Sequence, residues 1–61
     1  MRIEKIVGIN GLTLIVYYTP ADCWQFAVVG KDGQLWQPDD IFSTSEKAES
    51  EGRKWINALL G

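Results

Sequence analysis

Histidine is missing from this chain of 61 residues, cysteine occurs once and proline twice. Each scarcity excludes something. Without an imidazole, neither Cys23 nor any serine has the base that nucleophilic acyl transfer uses. One thiol cannot form an intrachain disulfide, and nothing completes a zinc site around it. Cys23 therefore reads as a small apolar residue at the start of a strand. A lone cysteine also fits a reducing compartment better than a secreted one. The longest apolar run, Leu14-Ile15-Val16-Tyr17-Tyr18, is too short to span a membrane. Met1-Arg2-Ile3-Glu4-Lys5 lacks the apolar core of a signal peptide, so a cytoplasmic location is expected.

Glycine is present but dispersed. The six glycines stand singly or at turns, and none belongs to a loop that could cradle phosphate ahead of a helix. Basic charge is also sparse. Six Lys and Arg against eight Asp and Glu give a net charge of −2, which counts against nucleic acid, whose phosphates supply most non-specific affinity. Asp39-Asp40 is the one adjacent carboxylate pair in a loop. It reads as a solvated bend, with a weak cation site as the alternative, because two-carboxylate catalysis needs groups converging across a cleft. No catalytic, cofactor-binding or metal-ligating residue is assigned, and an enzyme acting alone is not expected.

What is present is one domain, residues 1–61. A chain of this size buries only about 60% of the surface its unfolded form exposes. Domains this small are commonly reinforced by disulfides, a metal or oligomerisation. With the first two closed, self-association or a protein partner remains.

Two β-branched runs, 2–9 and 12–18, flank Asn10-Gly11, the strongest short-range hairpin signal. A two-residue turn there pairs Ile9 with Leu12, Val7 with Leu14, Lys5 with Val16 and Ile3 with Tyr18. Thr19-Pro20-Ala21-Asp22 is a turn, in which Asp22 can bond the neighbouring backbone. Residues 23–29 form a third strand with Trp24, Phe26 and Val28 on one face. Gly30-Lys31-Asp32-Gly33 is a second hairpin turn, with Asp-Gly supplying positive φ. Residues 34–37 are a short edge strand stopped by Pro38.

After the bend at Asp39-Asp40, Ser43-Thr44-Ser45 announces a helix over 45–60. Thr44 is the preferred N-cap; Ser43 competes, because Glu46 would complete a capping box with it. Ala48, Gly52, Trp55, Ile56 and Leu59 share one helical face, and Glu49 stands four residues before Arg53. Glycine inside a helix costs about 1 kcal/mol relative to alanine. Its place on the apolar face therefore predicts close contact between Gly52 and the sheet. The fold expected is α+β: a three- to four-stranded antiparallel meander followed by one C-terminal helix packed on it.

Seven large rings then stand out: Tyr17, Tyr18, Trp24, Phe26, Trp36, Phe42 and Trp55. One helix about 10 Å wide cannot cover four strands about 4.8 Å apart. In the first hairpin Ile3, Val7, Ile9, Leu12, Leu14, Val16 and Tyr18 share one face, while Ile6, Ile15 and Tyr17 share the other. Both faces are therefore apolar, unlike a half-solvated sheet. Either twist and the Ile41-Phe42 segment hide the excess, or something outside the chain covers it. The candidate interaction surface is Tyr17, Trp24, Phe26 and Trp36.

The stretch Phe42-Ser43-Thr44-Ser45-Glu46-Lys47-Ala48, with Gly52-Arg53-Lys54-Trp55-Ile56 after it, resembles small uncharacterised bacterial proteins of cyanobacterial type with a β-meander and a helix. The layout is also similar to AP2-type and integrase arm-binding domains, whose sheet enters a DNA groove. Trp24, Gln25, Gln34, Trp36 and Gln37 bring no arginine to such a groove. The order of four strands then a helix resembles PC4-like single-strand binders, of which this chain supplies chiefly the aromatics. The leading expectation is a non-enzymatic interaction module, a homodimer or a subunit docking on a larger protein. A single-stranded nucleic-acid binder stacking bases on Trp24 and Trp36 comes second, and a small phage-type inhibitor of a host protein third.

Overall fold

The first two strands, β1 (Arg2–Ile9) and β2 (Leu12–Thr19), meet at Asn10 and Gly11, whose φ angles are 50° and 84°. Positive φ at both central residues makes the turn twist with the strands it joins, and this fixes the register. Ile9 pairs with Leu12, Val7 with Leu14 and Lys5 with Val16, as the Asn-Gly turn predicts. The ladder then slips by one residue. Ile3 stands opposite Tyr17 rather than Tyr18, and Arg2 takes Tyr18, because Glu4 is an extra, unpaired residue in β1. A bulge reverses the faces of the residues beyond it. Ile3 accordingly joins Ile6 and Ile15, not the face of Val7 and Val16 as expected.

The computed structural model describes residues 2–21 and 23–61. Asp22 and its expected backbone bond lie outside the described residues. β3 (Cys23–Val29) pairs antiparallel with β2, and β4 (Leu35–Trp36) pairs with β3, giving the sheet order β1-β2-β3-β4. The second hairpin differs from the expected Asp-Gly turn. Gly33 alone has positive φ, at 84°. Its N–H donates to the Gly30 carbonyl at 3.2 Å while the Gly30 N–H donates to the Gln34 carbonyl at 2.8 Å. This is a three-residue loop closed by a glycine bulge, in which Asp32 needs no unusual conformation.

β4 is two residues rather than the expected four, yet the chain returns to β3 after Pro38. Phe42 and Trp24 exchange both backbone hydrogen bonds at 2.8 Å, so Phe42 extends the fourth-strand position past the interruption. A short run with one proline gives little strand signal, and this pairing is long-range.

α1 (Ser45–Leu60) starts at Thr44, whose hydroxyl accepts from the Lys47 N–H at 3.1 Å. The helix lies across β2 and β3. Ala48, Gly52 and Ile56 are buried beneath it, on Leu12, Leu14, Val16, Phe26 and Val28. Gly52 is required by that approach. A Cβ there would sit 2.5 Å from Leu14 Cδ1 and 3.2 Å from Phe26 Cγ, and Leu14 is fully buried with nowhere to yield. Leu59, expected on the same stripe, is 47% exposed, since the last turn of the helix carries it past the buried core. Among the described residues no helix is long and apolar enough to cross a membrane.

Candidate interaction face

Side chains alternate across a strand, so the register sorts every sheet residue to one face or the other. The helix side is aromatic. Tyr18 and Trp24 stand directly opposite each other with rings 4.8 Å apart, edge to face, and the Arg2 guanidinium lies 5.5 Å above the Tyr18 ring. Phe26 contacts Phe42 at 6.2 Å and Trp55 at 6.5 Å, and Trp36 contacts Trp55 at 5.6 Å. Six of the seven large rings thus lie on the helix side, as a Tyr18-Trp24 pair and a group of four, Phe26, Phe42, Trp36 and Trp55.

The other side has no helix. One cross-strand row runs Gly8, Thr13, Val29, Leu35; the next runs Ile6, Ile15, Ala27; the third runs Ile3, Tyr17, Gln25. No acidic or basic side chain falls in these rows. The bulged Glu4 lines a cleft on the helix side with Lys5, Val16, Ser45, Glu46 and Glu49. Ile3, Ile6 and Leu35 are 50%, 62% and 58% exposed, while Tyr17 and Ala27 are buried. Total accessible surface is 3975 Å². A compact monomer of this size exposes about 4,000 Å². The total is ordinary, and the placement of its apolar part is what distinguishes the molecule.

The four residues singled out from the sequence do not form one surface. Tyr17 is on the helix-free face. Phe26 is 3% exposed in the core, and Trp24 and Trp36 are half-buried against it. The residues that carry the open face are aliphatic or small: Ile3, Ile6, Gly8, Ile15, Ala27, Val29 and Leu35. Alternation in 23–29 signals Ala27 and Val29, whereas Ile3 depends on a bulge that has no local sequence mark.

Gly8 is unusual among the strand residues. Its φ is not positive, and a Cβ built on it meets nothing within 4 Å. Glycine weakens a strand interior, and nothing within the fold requires it here.

The clefts offer little chemistry. The larger, about 250 Å³, is an open depression lined by Phe26, Asp40, Glu51, Lys54 and Trp55. Lys54 is engaged with Glu51 at 3.1 Å. The thiol of Cys23 donates to the Ala21 carbonyl at 3.2 Å. Asp39 and Asp40 are both exposed, and no group of three or more metal-ligating side chains occurs among the described residues. Glu49 accepts from Lys5 Nζ at 3.0 Å and from Arg53 Nε at 2.9 Å. These two hydrogen bonds, Lys5 first, hold its carboxyl below the ordinary value of 4.5 and clip β1 to the helix.

Comparison with family models, curated proteins and solved structures gives no match.

Proposed function

We propose that this chain is a non-enzymatic protein-interaction module whose contact surface is the helix-free face of the sheet. The observation that carries the reading is the make-up of that face: Ile3, Ile6 and Leu35 half or more exposed, around Ile15, Tyr17, Ala27 and Val29, with no acidic or basic side chain in the rows. Depletion of charge at the centre of a patch is the compositional mark of an interface.

The magnitudes suit reversible association. Burying a Leu or Ile side chain in full contributes about 1.5–3 kcal/mol, so three half-exposed ones contribute roughly 3–5 kcal/mol per face. Two such faces double that, against an association cost of about 4–15 kcal/mol. A contact that forms and dissociates is the expected regime. The free thiol of Cys23 supports a reducing, cytoplasmic setting for it.

Nucleic acid ranks lower. The two tryptophans that would stack on bases are packed against the core, and the net charge is −2.

The test is Ile6→Lys, which puts a charge in the face at a site 62% exposed in the folded chain. Self-association by sedimentation, and retention of protein from a native extract, are compared with wild type. Loss of either in the variant at unchanged melting temperature supports the reading. Equal binding by both proteins, or none by wild type, rejects it.

A further inference from the structure

We infer that the occupant of the helix-free face is a second copy of this chain, stacked face to face about a twofold axis parallel to the strands. The inference rests on the reading above and adds the partner and its register.

The row Gly8, Thr13, Val29, Leu35 has its smallest residue at one end and an exposed leucine at the other. A twofold along the strand direction, passing between β2 and β3, sets β1 of one copy over β4 of the other. Leu35 then stands over Gly8 of the second copy, and Val29 over its Thr13. In the neighbouring row the same axis sets Ile15 over Ala27 of the second copy. Large meets small where Leu35 stands over Gly8 and where Ile15 stands over Ala27, and each contact occurs twice, as an isologous interface requires. The unexplained Gly8 gains a purpose: the space above it receives a leucine.

Alternative modes of self-pairing are obstructed. The β1 edge carries Lys5 and the Glu4 bulge, while β4 is two residues long and followed by Pro38. Such features discourage pairing through sheet edges. The face itself has no like charges to bring together. Three strands about 4.8 Å apart and about 24 Å long, with the two residues of β4 beside them, present roughly 400 Å² per copy in projection. Two copies therefore bury roughly 800 Å², the small end of the range, where contacts are weak and transient.

Paired cysteines test the register. Stacked sheets lie about 10 Å apart, beyond the roughly 7 Å between Cα atoms that a disulfide spans, so a short bis-maleimide is used to join the thiols. In a Cys23→Ser background, Gly8→Cys and Leu35→Cys are made separately, treated with the bis-maleimide alone and as a mixture, and run on a denaturing gel. The mixture is expected to give a covalent dimer whose linked peptides join 8 to 35, with little from either variant alone. Equal crosslinking by each variant alone overturns the axis, and no crosslink in the mixture overturns the pairing. Gly8→Val provides a second reading that does not depend on crosslinking. It is expected to keep or raise the melting temperature while weakening self-association at least tenfold, and unchanged association overturns the inference. A wild-type chain that stays monomeric, yet loses an extract protein on Ile6→Lys, overturns the second copy and leaves the interaction reading standing. Failure of both removes the two together.

Discussion

The two faces of this sheet are built from different side chains, although the same four strands supply both. On the side of α1 lie six of the seven large rings and the fully buried Leu14, Val16, Val28 and Ile56. On the opposite side lie aliphatic and small residues with one tyrosine. Large rings bury the most apolar area per residue, and a core served by a single helix depends on that volume. The aromatic set therefore belongs to the core, and α1 leaves the plainer face uncovered.

The widest separation between the faces is expected from two leucines. Leu14→Ala removes a fully buried side chain and should destabilise by about 2–5 kcal/mol in denaturant unfolding. Leu35→Ala, at a site 58% exposed, should change monomer stability by less than about 0.5 kcal/mol when measured at high dilution. Equal losses at the two sites would erase the contrast.

Two glycines sharpen it further. Gly52→Ala gains about 1 kcal/mol of helix propensity and meets overpacking of about 1–3 kcal/mol against Leu14 and Phe26, for a net loss of up to roughly 2 kcal/mol. Gly8→Val meets open space and should stabilise the monomer by about 0.5–1 kcal/mol. Thermal melts of the two variants should move in opposite directions.

The smallest effect is electrostatic. Hydrogen bonds from Lys5 and Arg53 lower the folded-state pKa of Glu49. Its contribution to stability is therefore fully present above the ordinary carboxylate value and is lost as pH falls through the lowered one. Glu49→Gln should lower neutral-pH stability slightly, leave acid-pH stability nearly unchanged, and so flatten the acid limb of stability against pH. A steeper acid limb in the variant would refute this role.

Most of the fold was legible because its signals are local. Asn10-Gly11 sets one hairpin, Thr44 caps the helix, and Gly52 marks where the helix touches the sheet; all three stand as read. The departures are not local. The Glu4 bulge moves Ile3 to the other face, and Phe42 returns to Trp24 across eighteen residues of chain. The candidate site was legible only in part, because ring content marks apolar volume without saying which face holds it. Tyr17 lies on the open face, while Trp24, Phe26 and Trp36 lie under or beside the helix. Ile3, Ile6 and Leu35 are exposed, but Leu35, Ala27 and Gly8 take their places on one face only once the register is known.

The central question is whether the helix-free face binds. Sedimentation of wild type and Leu35→Lys, side by side over a range of concentrations, measures this most directly. Wild type is expected to pass from monomer to dimer as concentration rises, while Leu35→Lys remains a folded monomer throughout. Coincident curves for the two proteins, at either mass, would contradict it.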